Sequence, residues 1–242
     1  MKKLSIITVA YNSSATIRDT IISVENQEYR NNIQHIVIDG GSNDGTLEIV
    51  REFKNVELYT EQDDGVFDAM NKGLLKVRFE FVLWLNSDDY LIDSKALNHF
   101  FKNSNSQLDL YIGSINIVDI KNFRVLRKII ANKPNKLELF CGWIPPHPAY
   151  IIRTKIANKI NGYDCRYKIS ADYGFMIKGL LLSKEIVYNE AIITLMRSGG
   201  LTNSGLPSKF KILKDIWPQM INLGFYNPVY PLTRILLKLK KN

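Results

Sequence analysis

Short apolar runs alternate with helix-patterned segments through the first hundred residues, and that alternation leaves few folds open. Leu4–Ala10 reads as a strand, and 15–26 as a helix with Ile17, Ile21, Ile22 and Val24 on its apolar stripe. Ile36-Val37-Ile38 closes a second strand at Asp39, and a glycine-rich turn from Gly40 to Thr46 leads into a helix through Phe53. Residues 56–59, 66–77 and 81–85 continue as strand, helix and strand. A helix between successive strands calls for crossover connections. The expected class is therefore α/β, a mostly parallel sheet flanked by helices. The second half is less regular: 110–118 and 123–130 read as strands, 173–182 and 209–223 as helices.

In open α/β sheets ligands bind beyond the carboxyl ends of the strands, so the residues there are the first candidates for chemistry. The apolar run 81–85 is followed directly by Asn86-Ser87-Asp88-Asp89. Adjacent carboxylates repel, and a hard divalent cation carrying a phosphate group is the usual partner. The alternative is a helix N-cap, with Asp88 or Asp89 opening a helix predicted from about Asp93. Thr8-Val9-Ala10-Tyr11-Asn12 closes the first strand. A tyrosine there can lie along a nucleobase while backbone groups bond the base edge, or can simply cover the rim of the sheet. Asp39 could accept from a pyrimidine N–H, whereas Asp44 is the expected N-cap of the following helix. The glycine turn is not G-x-G-x-x-G, because Ser42 stands where the second glycine belongs, and there is no Walker A lysine. Asp64, Asp68 and Asn71 fall at i, i+4 and i+7 and should share one helix face, either a site wall or a solvated side.

Charge and composition narrow the partners. At 242 residues and 45% hydrophobic, the chain can bury a large core. No run approaches the ~18 apolar residues of a membrane-spanning helix. Met1-Lys2-Lys3 leads into an apolar stretch too short for an export signal, and Cys141 and Cys165 form neither a disulfide framework nor a zinc pattern. A cytoplasmic protein with two reduced thiols is expected. Residues 207–242 carry +6 of the net +8, while 38–90 hold twelve acids and five bases. A basic tail beside an acidic middle is not a continuous nucleic-acid groove, so no nucleic-acid partner is expected.

The blocks from Thr8 to Asn12, Ile38 to Thr46, Asp64 to Gly73 and Asn86 to Asp89 resemble, in order and spacing, the family 2 glycosyltransferases of GT-A fold. The likeness is to bacterial members that build surface polysaccharides, and it returns at Pro146-His147-Pro148, Gly162-Tyr163-Asp164 and Ser170-Ala171-Asp172-Tyr173. The resemblance implies a Rossmann-like sheet and inverting transfer from a UDP-sugar with Mn²⁺ or Mg²⁺. With the shift in regularity and the basic tail, the expected division is a GT-A domain over 1–206, with 1–90 binding nucleotide and 91–206 facing the acceptor, and a basic helical extension over 207–242. Matched by position, Ala10, Tyr11 and Asp39 would hold the uracil, with Thr8, Asn12, Asp64 and Asn71 also on the nucleotide-sugar. Ser87-Asp88-Asp89 would be the metal and diphosphate motif, with Asp89 the metal ligand; Ser87 stands where D-x-D has its first acid. Asp172 matches the general base, a role compatible with capping its helix.

Three further assignments are weaker in the pattern. His147, in a proline-stiffened loop, and Asp68 could border the acceptor or donor sugar. Arg197 opens Ser198-Gly199-Gly200-Leu201-Thr202, a loop that could close a cation over the diphosphate or be an ordinary turn. Leu232, Ile235, Leu236 and Leu239, among Arg234, Lys238, Lys240 and Lys241, form a basic amphipathic end. It could lie on the cytoplasmic face of the inner membrane or pack on the domain. The acceptor implied is a polyprenyl-diphosphate-linked or oligosaccharide glycan of capsule or O-antigen type. A nucleotidyltransferase making nucleotide-sugars is the enzymatic rival, but it needs a basic triphosphate loop and 10–15 has no base. A non-catalytic membrane- or polyanion-binding protein is the other, and the presence of Asp39, Asp89 and Asp172 argues against it.

Overall fold

The computed structural model describes residues 2–103, 105–199 and 205–225. In chain order the elements are β1 (Leu4–Ala10), α1 (Ile17–Glu25), β2 (Ile33–Asp39), α2 (Thr46–Arg51), β3 (Val56–Thr60), α3 (Val66–Leu74), β4 (Phe81–Trp84), β5 (Asp89–Leu91) and α4 (Asn98–Lys102). They continue as β6 (Leu110–Val118), β7 (Val125–Ile129), α5 (Lys136–Phe140), β8 (Tyr150–Arg153), α6 (Thr154–Ile160), α7 (Ala171–Leu182), β9 (Ile186–Arg197) and α8 (Gly205–Asn222). Nine strands form one sheet in the order β3-β2-β1-β4-β8-β6-β9-β5, with β7 added to β6.

The first four strands run parallel, as the alternation predicts, so the ends of β1, β2 and β3 meet in register: Ala10 opposite Asp39, and Asp39 opposite Thr60. β1, β2 and β4 are buried along their whole length, which is why they read as unbroken apolar runs. One face of the sheet packs Phe67, Met70, Trp84, Tyr163 and Phe175; the other packs Phe81, Phe100 and Tyr111. Ile216 and Met220 of α8 pack on Tyr173 and Ile177 of α7. The amphipathic end at 232–241 lies outside the described residues.

Two expectations change here. Neither Asp88 nor Asp89 opens a helix, because β5 begins at Asp89 and pairs antiparallel with β9, and the next helix starts only at Asn98. Gly45, not Asp44, caps α2. Asp44 instead accepts from the Thr46 N–H (3.1 Å) and the Ser14 N–H (3.0 Å), tying the start of α2 to the loop after β1. The Thr46 hydroxyl, which also donates to Asp44 Oδ1, and then these N–H bonds hold its carboxyl well below the usual carboxylate range.

Thr8 does not reach the strand-end surface. It is buried, and its Oγ1 lies 3.0 Å from His35 Nε2 on the neighbouring strand. His35 Nδ1 is buried without a partner among the described residues. Burial first, then the charge of Arg30, pushes the His35 pKa from 6.5 down to about 3. The folded value lies below the unfolded one, so the stability contributed by neutral His35 is complete above pH ~6.5 and is lost as the pH falls toward 3. The slope is about 1.4 kcal/mol per pH unit in that window. Urea unfolding between pH 7 and 4 is expected to show this decline, and His35→Gln is expected to flatten it.

Candidate functional site

Tyr11 stands at the end of β1 with 65% of its surface exposed, while Asp39 at the end of β2 is fully buried. Asp39 Oδ2 accepts from the N–H groups of Gly41 and Ser42, both at 2.9 Å. Its Oδ1 has no partner among the described residues. The Gly40 N–H donates to the Ala10 carbonyl at 2.9 Å, joining the two strand ends. Tyr11 and Gly40 line a cleft of about 580 Å³ with Gln62, Asp63, Asp64 and Gly65 after β3 and with Asp68 and Lys72 of α3. A Cβ on Gly40 would lie 2.3 Å from Asp63 Oδ2, so any larger residue here would have to displace the Asp63 side chain. Asn12, at φ 48°, stitches this wall together: its N–H donates to Ser42 Oγ (2.8 Å), and its Oδ1 accepts from the Asn43 N–H (3.0 Å).

The expected face of Asp64, Asp68 and Asn71 does not form, because Gly65 at φ 120° starts α3 after Asp64. The Asp64 N–H donates to Asp68 Oδ2 at 3.1 Å, and Asp68 pairs with Lys72 at 3.0 Å. Asn71 turns away from this cleft. Its Oδ1 accepts from the Tyr163 N–H (2.8 Å) and its Nδ2 donates to the Tyr163 carbonyl (2.9 Å). Gln62 was not anticipated, and Asp63 and Lys72 belong to the polar stretch after β3 without having been singled out, although the strand-end rule applied to β3 points at Gln62 and Asp63.

The Asn86–Asp89 turn forms the second part of the site. The Asp89 N–H closes it on the Asn86 carbonyl at 3.0 Å, and Thr20 Oγ1 donates to the carbonyls of Ser87 (2.9 Å) and Asp89 (2.7 Å). Ser87 is buried with its hydroxyl 2.8 Å from that of Ser13, a contact that helps hold the turn in place. Asp88 is half-buried, and its carboxyl is raised by desolvation. Asp89 is 1% exposed, and its carboxyl is raised well above the usual range, first by burial and then by the charge of Asp88. Asn86 Oδ1 is buried beside them without a partner among the described residues. This oxygen-only set, whose negative charge Arg197 offsets only in part, fits a hard divalent cation. Among the described residues no three His, Cys, Asp or Glu side chains converge to hold one, so a bound ion would need oxygens from its ligand.

Arg197 was expected on a mobile loop and instead ends β9, 4% exposed. Its guanidinium pairs with Asp19 at 2.6 Å and donates to the Asp88 carbonyl at 3.1 Å. It lies over the rings of Tyr90 (4.9 Å) and Phe123 (5.5 Å). These contacts commit it to holding the carboxylate turn; Gly200, Leu201 and Thr202 lie outside the described residues.

Asp172 lies half-buried in the first turn of α7, two residues after the N-cap Ser170. Its charge, after burial, helps raise the Tyr163 phenol well above its usual range. Tyr163 stacks on Phe175 (4.4 Å between ring centroids) and meets Trp84 edge-on (5.2 Å). His147 Nε2 lies 2.9 Å from the Tyr163 hydroxyl, and burial lowers its pKa to about 4, leaving it neutral at pH 7. His147 thus supports Tyr163 while remaining half-buried.

A mixed sheet whose parallel strands β1 to β4 gather an exposed aromatic ring and paired carboxylates at their ends matches the GT-A glycosyltransferases. Residues 5–168 match the model for Glycosyl transferase family 2, and the chain belongs to that family. An uncharacterized glycosyltransferase of Mycobacterium tuberculosis is 29% identical over 195 residues, covering 76% of this chain and 71% of the relative. A PGL/p-HBAD biosynthesis glycosyltransferase of Mycobacterium bovis is 27% identical over 229 residues, covering 91% and 86%. The fold is shared with S. aureus TarS in complex with UDP-GlcNAc (TM-score 0.68, 21% identity, 88% of this chain and 67% of that one). It is also shared with a mannosyltransferase of Pyrobaculum calidifontis in complex with GDP-Man and Mn2+ (TM-score 0.68, 13% identity, 96% and 68%).

Proposed function

We propose that this glycosyltransferase moves a hexose or N-acetylhexosamine from a UDP-sugar, with inversion, to a lipid-linked or growing glycan acceptor in capsule, O-antigen or related polysaccharide synthesis. The observation that carries the donor reading is the unpartnered Asp39 Oδ1 beside the Tyr11 cleft, an acceptor suited to a pyrimidine N–H under an aromatic cover. A relative of the same fold that binds UDP-GlcNAc supports it. Asp172 acts as general base: it takes the proton of the acceptor hydroxyl as that oxygen bonds the sugar C1 and the C1–O bond to diphosphate breaks on the opposite face. In place of Asp89, the ligand that the family match implied, we take Asp88, the more exposed carboxylate, as the side chain that would bind Mn²⁺ or Mg²⁺ directly, with Asn86 and the buried Asp89 completing the oxygen surface. The ion supplies charge neutralisation to the departing diphosphate.

A thermal-shift comparison of UDP, GDP and dTDP with Mn²⁺ tests the donor. UDP at a hundredfold excess over its Kd is expected to add about 2.7 kcal/mol, a rise of roughly 5–10 °C for a chain of this size. A larger rise with GDP would replace the donor, and no rise with any nucleotide would remove the reading.

A further inference from the structure

We propose that the β6–β7 hairpin docks the protein on an anionic lipid bilayer. The hairpin is an antiparallel pair, Ile115 opposite Ile129 through Val118 opposite Val125, and among the described residues β7 has no other strand beside it. Four of the five residues of β7 are exposed, on both faces of the ribbon. Ile120, Phe123, Val125, Leu126 and Ile130 stand 42–53% exposed along the turn and this edge. Interleaved with them are Lys121, Arg124, Arg127, Lys128, Lys133 and Lys136, all exposed, and residues 120–136 contain no acid. None of the six cations joins an ion pair among the described residues.

This one segment carries +6, as the tail at 207–242 does, which leaves the rest of the chain at −4 from a total of +8. Lysine and arginine alone would guard an open edge strand against pairing with another chain. Such a guard does not call for five large apolar side chains beside them. Apolar side chains among unpaired cations match the acyl boundary and the anionic headgroups of a membrane surface.

The hairpin is also wired to the catalytic edge. Phe123 occupies a left-handed conformation (φ 58°), held by its N–H on the Asp119 carbonyl at 3.0 Å. A bulky residue rarely adopts that conformation. Here it brings the Phe123 ring against Tyr90 (6.2 Å) and over the Arg197 guanidinium that bonds the Asp88 carbonyl. A bilayer under the hairpin therefore lies beside the carboxylate turn. That this delivers a lipid-linked acceptor rests on the transferase reading, whereas the lipid contact itself does not.

The test is co-sedimentation of the full chain, without nucleotide, with phosphatidylcholine vesicles with and without phosphatidylglycerol. The parent is expected to sediment only with the anionic vesicles and to be released by salt. Arg127→Glu/Lys128→Glu is expected to weaken partition by at least ~25-fold, at about fivefold per cation. Leu126→Ser removes apolar contact alone and should weaken it less. Unchanged unfolding curves exclude misfolding of these exposed variants, and Lys238→Gln/Lys240→Gln/Lys241→Gln controls for the tail. The proposal is overturned if the charge-reversal variant sediments like the parent, if neutral vesicles bind equally, or if the tail variant alone abolishes binding. It is also overturned by a parent that ignores vesicles and instead self-associates through this edge.

Discussion

Asp172→Asn is expected to lower transfer to the acceptor by 10²- to 10⁴-fold while UDP binding is preserved, the range general-base catalysis contributes. The substitution keeps shape and removes only the capacity to take a proton. Asp172 sits in the first turn of a twelve-residue helix whose next residues, Tyr173, Phe175 and Met176, are fully packed, so the backbone there has little freedom to move away. Its charge is felt at Tyr163, whose ring bridges Trp84 of β4 and Phe175 of α7. The proposed base is therefore mounted on the same aromatic block that packs against β4, the strand leading into Asn86–Asp89. Initial rates with a saturating acceptor, alongside the UDP thermal shift, separate the two quantities. Turnover within tenfold of the parent would remove Asp172 as base. Loss of the UDP shift would instead show that the substitution disturbed the donor cleft.

What could be read before any coordinates follows the reach of each interaction. β1, β2 and β4 are buried on both faces, so their sequences are continuous apolar runs and their carboxyl ends mark the cleft. Tyr11, Asp39 and the Asn86–Asp89 turn follow from that rule alone. The errors lie where a distant partner decides. Thr8 looked like a strand-end polar group, but His35, 27 residues away, takes it into the core. Ser87 is claimed by Ser13 across 74 residues, and Asn71 by Tyr163 across 92. β5 has only three residues and exists because β9 pairs with it a hundred residues later, so two aspartates before a polar stretch imitated a helix cap. Arg197 looked like part of a glycine loop because β9, with Asn189 and Glu190 in its middle, lacks a clean alternation. The basic run at 120–136 was visible in the sequence, but only the fold shows its apolar residues lying exposed on an edge.

Asp88→Asn should have opposite effects on the free and the liganded protein. Without ligand, Asp88 and Asp89 both have carboxyls raised by burial, and Asp89 is raised further by its neighbour. A carboxyl whose folded pKa exceeds its unfolded value favours the fold below that unfolded value and opposes it as the pH rises through the folded one. At pH 7 the pair is thus a source of strain, and removing one charge should raise the nucleotide-free unfolding midpoint. The same change withdraws the exposed oxygen donor proposed for the cation. The Mn²⁺-dependent part of the UDP stabilisation should vanish, and transfer should fall by 10²- to 10³-fold, as when one preorganised electrostatic contact is lost. Asp89→Asn, acting on a side chain already enclosed by Asn86 and the Arg197 backbone, should retain a weakened metal response. If Asp88→Asn keeps the full Mn²⁺ gain and Asp89→Asn loses it, the direct ligand is Asp89. If both keep it, the turn holds no ion, and the raised carboxyls serve only to place Asp88's carbonyl against Arg197.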